Sequence, residues 1–166
     1  MSLITLHGNE FKTSGTIPSN GETAPSFNLV DSSDLAEITL STLGSKRKVL
    51  NIFPSLDTPT CAMSVRRFNE AAASLDNTVV LNISRDLPFA QQRFCGAEGI
   101  VNAKTLSTFR SSFEEDYNLK IVNGPLAGLA SRVVIVLDEG NKVIYSQQVS
   151  EISQEPDYSS ALKALE

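Results

Sequence analysis

Two cysteines and one histidine are the residues of this 166-residue chain that could act as thiol nucleophiles, a catalytic base or soft metal ligands. Cys61 and Cys95 are too few for a disulfide scaffold, and in a reducing cytosol such a pair is more often buried, metal-binding or redox-active. A zinc site is disfavoured because the thiols lie far apart and no short ligand spacing occurs. Histidine-assisted catalysis would require His7, beside Gly8 in a predicted hairpin turn, to reach a distant site. Thiol chemistry is therefore the main candidate.

The residues before Cys61 predict that this sulfur lies at the start of a helix. Pro59 fits the first helical position, where a missing N–H has no cost, and Asp57 or Thr58 can cap the helix. Cys61 then falls in the first turn, where unpaired backbone N–H groups and the positive end of the helix dipole favour a thiolate. We therefore predict that Cys61 is the nucleophile.

Cys95 has the opposite position in its own predicted helix. That helix starts with Asp86 as its cap, runs through Phe94 and stops near Gly96, so that Cys95 lies in the last turn. The partial charge at a helix C-terminus is negative and disfavours a thiolate. The asymmetry predicts that Cys61 attacks and is oxidised, while Cys95 can later condense with the oxidised sulfur. The alternative for either cysteine is a small buried hydrophobe.

The segments around Cys61 indicate an α/β protein. Residues 49–53 and 78–83 are short apolar runs of β-forming residues, which predicts two buried strands, the first ended by Pro54. Between them, from 59 to about 75, apolar residues recur at intervals of three and four, as in a helix. A strand, a helix and a strand of these lengths form a right-handed βαβ unit with parallel strands.

The remaining segments add a hairpin at each end of the chain. Residues 133–137 and 143–149 flank a turn cluster and predict an antiparallel hairpin. Residues 156–158 then open a terminal helix that runs from 159 to about 165. Alternating residues around Ile4 and Phe11 predict an N-terminal hairpin. This order resembles the thioredoxin fold, with a mixed central sheet, flanking helices and an added N-terminal β-hairpin.

Length and composition are consistent with one domain. We expect residues 1–166 to form a single domain, with the N-terminal hairpin and a turn-rich loop in residues 1–25. The net charge of −5 offers no electrostatic footprint for nucleic acid or anionic lipid, and no apolar segment is long enough to span a bilayer. The first residues do not resemble a secretory signal, so the cytoplasm is the expected location.

Several motifs resemble those of one known family. Pro54, Thr58 and Cys61 match the Pro-x-x-x-Thr-x-x-Cys active-site pattern of peroxiredoxins, and residues 21–27 (GETAPSF) match a Gly-x-x-Ala-Pro-x-Phe pattern common in them. Residues 86–95 (DLPFAQQRFC) and 105–110 (TLSTFR) resemble the bacterial thiol peroxidase subfamily, of the atypical two-cysteine type. The resemblance covers essentially the whole chain, with no departure at a position expected to do chemistry.

The resemblance implies a peroxidase that reduces hydrogen peroxide and organic hydroperoxides in antioxidant defence. It implies that Cys61 is the peroxidatic cysteine, that Cys95 resolves its sulfenic acid as an intramolecular disulfide, and that Arg132 activates the site. It also implies thioredoxin as the reductant, a homodimer, and no metal, haem or flavin. We expect local unwinding near Cys61 or Cys95, because two cysteines in different helices must approach to within about 7 Å to form a disulfide.

Other interpretations of these residues stay open at this point. Arg132 could simply mark a strand end, and the Thr58 hydroxyl could cap the helix or bond the Cys61 sulfur. Lowering the pKa of a thiol from about 8.5 to about 6 raises its thiolate fraction at pH 7 only about thirty-fold. Hydrogen-bond donors aimed at the peroxide oxygens are therefore expected to contribute more to the rate. The candidate donors are the Cys61 N–H, Thr58 and Arg132.

Two other functions are compatible with a reactive cysteine pair. One is a thioredoxin-like protein disulfide oxidoreductase, although Thr58 stands where a Cys-x-x-Cys motif would have its first cysteine. The other is a redox sensor that uses the same disulfide as a switch. The preferred peroxide cannot be derived from the sequence; the resemblance favours organic hydroperoxides.

Overall fold

A seven-stranded mixed sheet forms the centre of the protein in the computed structural model, which describes residues 2–166. The strands are β1 (Leu3–Leu6), β2 (Asn9–Lys12), β3 (Asn28–Asp31), β4 (Glu37–Thr39), β5 (Arg47–Ile52), β6 (Thr78–Ser84), β7 (Lys104–Ser107), β8 (Val133–Leu137) and β9 (Val143–Gln148). The helices are α1 (Pro59–Ala72), α2 (Pro88–Glu98), α3 (Phe113–Asp116) and α4 (Tyr158–Lys163). The order of the central sheet is β4-β3-β7-β6-β5-β8-β9.

The predicted βαβ unit lies at the middle of this sheet. β5 and β6 pair in parallel along their length, and α1 connects them. β8 pairs antiparallel with β5, and β9 pairs antiparallel with β8. The predicted α/β class, the βαβ unit, the mixed sheet and the C-terminal hairpin are therefore confirmed.

The sheet extends further than the sequence predicts. β7 pairs in parallel with β6, and β3 and β4 continue the sheet in antiparallel pairs. These strands have only three or four residues each, and so short a run shows little periodicity of its own. The four-residue helix α3 was also not predicted. Pairing with a neighbouring strand defines these strands more than their own sequences do.

The N-terminal hairpin is confirmed. β1 and β2 pair antiparallel with Ile4 opposite Phe11, outside the seven-stranded sheet. His7 and Gly8 form the turn with φ values of 51° and 83°. Positive φ at both central positions suits the right-handed twist of a hairpin, and glycine adopts it without strain. The buried side chain of Ile4 packs with Ile152, which fixes the hairpin on the body of the protein.

The core lies on both faces of the sheet, because successive residues of a strand point to opposite sides. Along β5, Val49 packs in one cluster with Phe68 of α1 and Ala161 of α4. Leu50 packs in another cluster with Phe113 of α3. The central strands are therefore covered on both faces, and their carboxyl ends are left to form a site.

The second helix differs from its prediction at both ends. α2 continues through Glu98 and ends at Gly99, which has a left-handed φ of 67°, instead of stopping near Gly96. Its N-cap residue is Leu87, and no side chain caps the helix. The predicted cap, Asp86, instead accepts hydrogen bonds from the loop before α1. An aspartate just before a helix that begins with proline is typical of a cap, but here the carboxylate bonds to a loop distant in the sequence.

The other predicted helices begin where expected and end slightly early. α1 begins at Pro59 with Thr58 as its N-cap residue, and ends at Ala72 rather than near 75. α4 begins at Tyr158 after Asp157, whose side chain accepts a hydrogen bond from the backbone of the helix. Within residues 2–166, no helix is long and apolar enough to cross a membrane.

Replacing Phe68 with alanine tests the packing of α1 against the sheet. Phe68 is fully buried, and its ring centroid lies 5.2 Å from that of Tyr158 in α4. Because the substitution leaves a cavity, we expect the free energy of unfolding to fall by about 3–5 kcal/mol in a denaturant titration. Phe89→Ala is the matched control, since Phe89 is 67% exposed, and it should change stability by less than about 0.5 kcal/mol. Equal losses in the two variants would contradict this packing.

Candidate active site

Cys61 lies where the central strand β5 gives way to helix α1. Pro59 and Thr60 are the first two residues of α1 and Cys61 is the third, so the predicted position in the first turn is confirmed. Its side chain is fully buried in an apolar cluster with Phe53 and Leu56. The sulfur is thus held in a dry environment at the positive end of a helix, where charge interactions are strong.

The Arg132 guanidinium contacts this sulfur directly. Arg132 precedes β8 and is only 1% exposed. Its Nη2 donates a hydrogen bond to Cys61 Sγ at 3.3 Å, and its Nε donates to the carbonyl of Ile152 at 2.8 Å. Among residues 2–166, its Nη1 has no hydrogen-bond partner. A buried cation therefore has one fixed donor on the sulfur and a further donor that is unused.

A cavity of about 360 Å³ lies beside this pair. Its lining residues are Leu6, His7, Pro54, Thr58, Pro59, Thr60, Leu126, Arg132, Ile152 and Ser153. The structure thus brings Pro54 and Thr58 together with Arg132, which is far from them in the sequence. Cys61 does not line the cavity, and Arg132 connects its buried sulfur to it. A larger cavity of about 600 Å³ near Arg110 contains neither cysteine, so size alone does not identify the site.

The Thr58 hydroxyl has neither of the two uses predicted for it. It donates a hydrogen bond to the carbonyl of Ser55 at 3.0 Å, and makes no side-chain cap to α1. It makes no hydrogen bond to Cys61 in this structure either. Thr58 lines the cavity, and because its hydroxyl proton is donated to Ser55, its oxygen is available as a hydrogen-bond acceptor rather than as a donor.

Cys95 lies near Cys61 but has its own surroundings. It is in the last turn of α2, half-buried, and packs against the apolar cluster that contains Cys61. Its Sγ is 3.2 Å from the Thr105 hydroxyl. Burial raises the pKa of the Cys95 thiol, and the hydrogen bond with Thr105 opposes this in part. Both cysteines are free thiols, and Cys95 lines a second cavity of about 410 Å³.

His7 lies beside the site, and the expectation that it is distant is wrong. His7 is exposed at the hairpin turn and lines the same cavity as Arg132. The hairpin reaches this position because Thr5 donates its N–H to Ser150 at 2.7 Å and accepts the N–H of Ile152 at 2.8 Å. These bonds join segments at opposite ends of the chain, and no local pattern could have indicated them.

Glu151 fixes the hairpin turn to the loop that carries Ile152, and no pattern in the sequence indicates this role. One carboxylate oxygen accepts hydrogen bonds from the Thr5 hydroxyl and the Gly8 N–H, each at 3.0 Å. The other accepts the Ser153 N–H at 2.9 Å and the Ser153 hydroxyl at 2.6 Å. These bonds, with the Ser153 hydroxyl first, lower the pKa of Glu151 to about 2.

Comparisons with known proteins give consistent matches in sequence and in fold. The family model described as Redoxin matches residues 19–164. A protein from Corynebacterium glutamicum described as thiol peroxidase is 54% identical over 165 residues, covering 99% of each chain. A peroxiredoxin-like protein from Aquifex aeolicus superposes with a TM-score of 0.92 at 35% identity, covering 99% of this chain and 96% of the other. A thiol peroxidase structure from Chromobacterium violaceum has the same fold, with a TM-score of 0.91 at 24% identity and the same coverage.

Acid titration tests the Glu151 contacts. Because the pKa of Glu151 is lowered from 4.5 to about 2, its stabilising effect is complete above about pH 4.5 and is lost as the pH falls towards 2. In denaturant titrations between pH 5 and pH 2, we expect Glu151→Gln to lose less stability on acidification than the parent chain. Glu139→Gln, on the exposed β8–β9 turn, is the control and should follow the parent. Parallel curves for Glu151→Gln and the parent would contradict the assignment.

Proposed function

We propose a catalytic cycle for this chain on the premise that it belongs to the Redoxin family, among the bacterial thiol peroxidases of the peroxiredoxin superfamily. The protein is therefore a thiol peroxidase, and the roles of individual residues are what we infer. The observation that carries the proposal is the hydrogen bond between the buried Arg132 guanidinium and the Cys61 sulfur. A buried cation on a cysteine sulfur stabilises a thiolate in a site that excludes water.

In the first step, the Cys61 thiolate attacks the terminal oxygen of a hydroperoxide. The S–O bond forms as the O–O bond breaks, and two electrons pass from sulfur to oxygen. The products are Cys61 sulfenic acid and an alkoxide or hydroxide, which takes up a proton and leaves as alcohol or water. The reaction consumes one thiolate, one hydroperoxide and one proton, and it requires no cofactor.

Arg132 is proposed to stabilise the charge that moves onto the leaving oxygen. Its Nη2 is held on the sulfur and its Nε on Ile152, so the guanidinium plane is fixed before the peroxide arrives. Nη1, which has no partner within residues 2–166, is the donor available to a peroxide oxygen. A prearranged donor of this kind contributes about 10² to 10³ in rate, more than ionisation of the thiol does.

Thr58 and Pro54 are proposed to orient the hydroperoxide. The Thr58 oxygen can accept the peroxide O–H, since its own proton is donated to Ser55. Pro54 is buried, lines the cavity and has no N–H, so it forms a wall that cannot compete for the peroxide oxygens. Together with Arg132 they supply one acceptor, one donor and a non-polar boundary.

In the second step, the Cys95 thiol attacks the Cys61 sulfenic acid. A disulfide forms between the two sulfurs and water leaves, with the proton of the Cys95 thiol going to the departing hydroxide. Both residues contact one apolar cluster, which supports this pairing. Cys61 is at the beginning of α1 and Cys95 in the last turn of α2, so we propose that local unwinding brings them together.

A dithiol protein is proposed to close the cycle, and thioredoxin is the expected reductant. Its two thiols would be oxidised as the disulfide of this chain is reduced, which suits a reducing compartment such as the cytoplasm. We also propose that the chain acts as a homodimer. Both hydrogen peroxide and organic hydroperoxides are proposed as substrates. Leu6, Leu126 and Ile152 in the cavity wall favour an organic group.

Serine substitutions of the two cysteines test the assigned roles. With thioredoxin as the only reductant, we expect Cys61→Ser to abolish peroxide consumption. Cys95→Ser should give a burst on the order of one equivalent and then stop, because the sulfenic acid forms but is not resolved. Stopped-flow peroxide consumption with a coupled thioredoxin assay makes the measurement. Sustained turnover by Cys61→Ser would end the peroxidase cycle, and reduction of a protein disulfide without peroxide turnover would favour an oxidoreductase instead.

Replacing Arg132 with alanine tests the proposed electrostatic contribution. We expect the second-order rate of sulfenic acid formation to fall by about 10² to 10³, because the donor to the peroxide oxygens is lost. Arg132→Lys should recover only part of the rate, since a lysine cannot hold the sulfur and Ile152 with one planar group. Arg110→Ala removes an exposed arginine elsewhere and should leave the rate unchanged. A fall of less than tenfold in Arg132→Ala would contradict the role.

A further inference from the structure

We propose that Asp86 is a positioning residue whose hydrogen bonds hold the loop before Cys61 in the form that attacks peroxide and oppose the rearrangement that forms the disulfide. This inference rests on the cycle proposed above. It adds a group that favours the attack of Cys61 on the peroxide and slows formation of the disulfide with Cys95. Asp86 acts through the backbone that it holds and does not contact the substrate cavity.

Both oxygens of the Asp86 carboxylate accept hydrogen bonds from neighbouring groups. Its Oδ1 accepts the Ser55 hydroxyl at 2.7 Å. Its Oδ2 accepts the Leu56 N–H at 2.8 Å and the Ser84 hydroxyl at 2.7 Å. Hydrogen bonds to a carboxylate are about twice as strong as those between neutral groups. The carboxylate is half-buried and therefore partly shielded from competing water.

On one side, these bonds fix the start of the Cys61 helix. The carbonyl of Ser55 accepts both the N–H of Thr58, at 3.2 Å, and its hydroxyl, at 3.0 Å. The carbonyl of Thr58 in turn accepts the N–H of Ala62, next to Cys61, at 3.0 Å. Leu56 packs in the same apolar cluster as Cys61. The carboxylate thus holds the segment that gives α1 its first turn.

On the other side, the same carboxylate is joined to the helix that carries Cys95. The Ser84 hydroxyl, which donates to Asp86, accepts a hydrogen bond from the side-chain amide of Gln91 at 3.0 Å. Gln91 is fully buried in α2, one turn before Cys95. The backbone carbonyl of Asp86 also accepts the Ser107 hydroxyl at 2.5 Å. The segment at the start of α2 is therefore held to β6 and β7.

In the cycle proposed above, local unwinding of at least one of these two segments brings the cysteines together to form the disulfide. While Asp86 holds Ser55 and Leu56, the first turn of α1 keeps the Cys61 sulfur on Arg132. Breaking these bonds adds to the barrier for resolution. During that delay the sulfenic acid can react with a second peroxide and become sulfinic acid, so Asp86 also affects sensitivity to overoxidation.

Asp86→Asn is the variant that tests this role, because it keeps the shape but replaces one acceptor oxygen with an NH₂ donor. We expect single-turnover stopped-flow measurements to show slower sulfenic acid formation and faster disulfide formation. Each rate should change about threefold or more, as for the loss of one ordinary hydrogen bond. The fraction of Cys61 overoxidised at a fixed excess of peroxide, measured by intact mass, should fall.

Two further variants keep the test decisive. Ser55→Ala removes the hydrogen bond to Oδ1 but leaves the carboxylate in place. We expect it to shift both rates in the same directions as Asp86→Asn, but by a smaller factor. If Asp86→Asn does not fold, Ser55→Ala provides the test. Asp34→Asn removes a comparable turn-forming aspartate that accepts the Ala36 N–H at 2.9 Å, and should change neither rate.

The opposite shift of the two rates is the result that a merely structural role would not produce. If both rates fall together, or neither changes, in Asp86→Asn and Ser55→Ala, the proposal is wrong. That result would leave the peroxidase cycle intact, because the parent chain would still turn over with thioredoxin. The cycle itself is tested separately, by the Cys61→Ser and Cys95→Ser experiments.

Discussion

The buried contact between Arg132 and Cys61 is the interaction on which the rest of the site depends. A guanidinium that is 1% exposed has lost most of its hydration, and it is tolerated only where an opposite charge or fixed acceptors replace the water. Here the replacements are the Cys61 sulfur and the carbonyl of Ile152. Removing either acceptor would leave a buried cation with too few partners. The loop around Ile152 therefore helps to hold the guanidinium on the Cys61 sulfur.

Because Arg132 needs the Ile152 carbonyl as an acceptor, the N-terminal hairpin, which holds the Ile152 loop, supports the site. The hairpin bonds to the loop through Thr5 and Glu151, and the loop bonds to α1 because the Thr60 hydroxyl donates to the Ser153 carbonyl at 2.9 Å. The chain termini and the start of α1 thus support one another around the arginine. The same hairpin also supplies Leu6 and His7 to the cavity wall. The hairpin therefore both holds the loop beside the site and forms part of the cavity wall.

Helix α1 is also held from within the core, by polar groups that cost stability. The Asn51 side-chain amide donates to the Ser64 hydroxyl at 3.2 Å and to Asn82 at 3.0 Å, and Ser64 donates to the carbonyl of Cys61 at 2.8 Å. Asn51 Oδ1 and Asn82 Nδ2 lack partners within residues 2–166, and each unmet group costs about 1–3 kcal/mol. Apolar side chains of the same shape would avoid this cost, but they would not fix the position of α1 through directional bonds.

Local patterns in the sequence determined the elements that generate their own signal. The N-terminal hairpin, the βαβ unit and the start of α1 follow from alternation, helical periodicity and a proline at the first helical position, and these place Cys61 in the first turn. The resemblance to a family, rather than any local pattern, singled out Arg132. Strands β3, β4 and β7 were missed because runs of three or four residues show little periodicity.

Tertiary structure alone decided the contacts that connect distant segments. Asp86 is bonded to Ser55 and Leu56 rather than to its adjacent helix, and His7 lies in the cavity wall rather than far from it. Hydrogen-bond partners of this kind are chosen by the order of strands in the sheet, which sets the distance between segments independently of their separation in the chain. Sequence periodicity records which face a residue presents, but not which distant segment that face will meet.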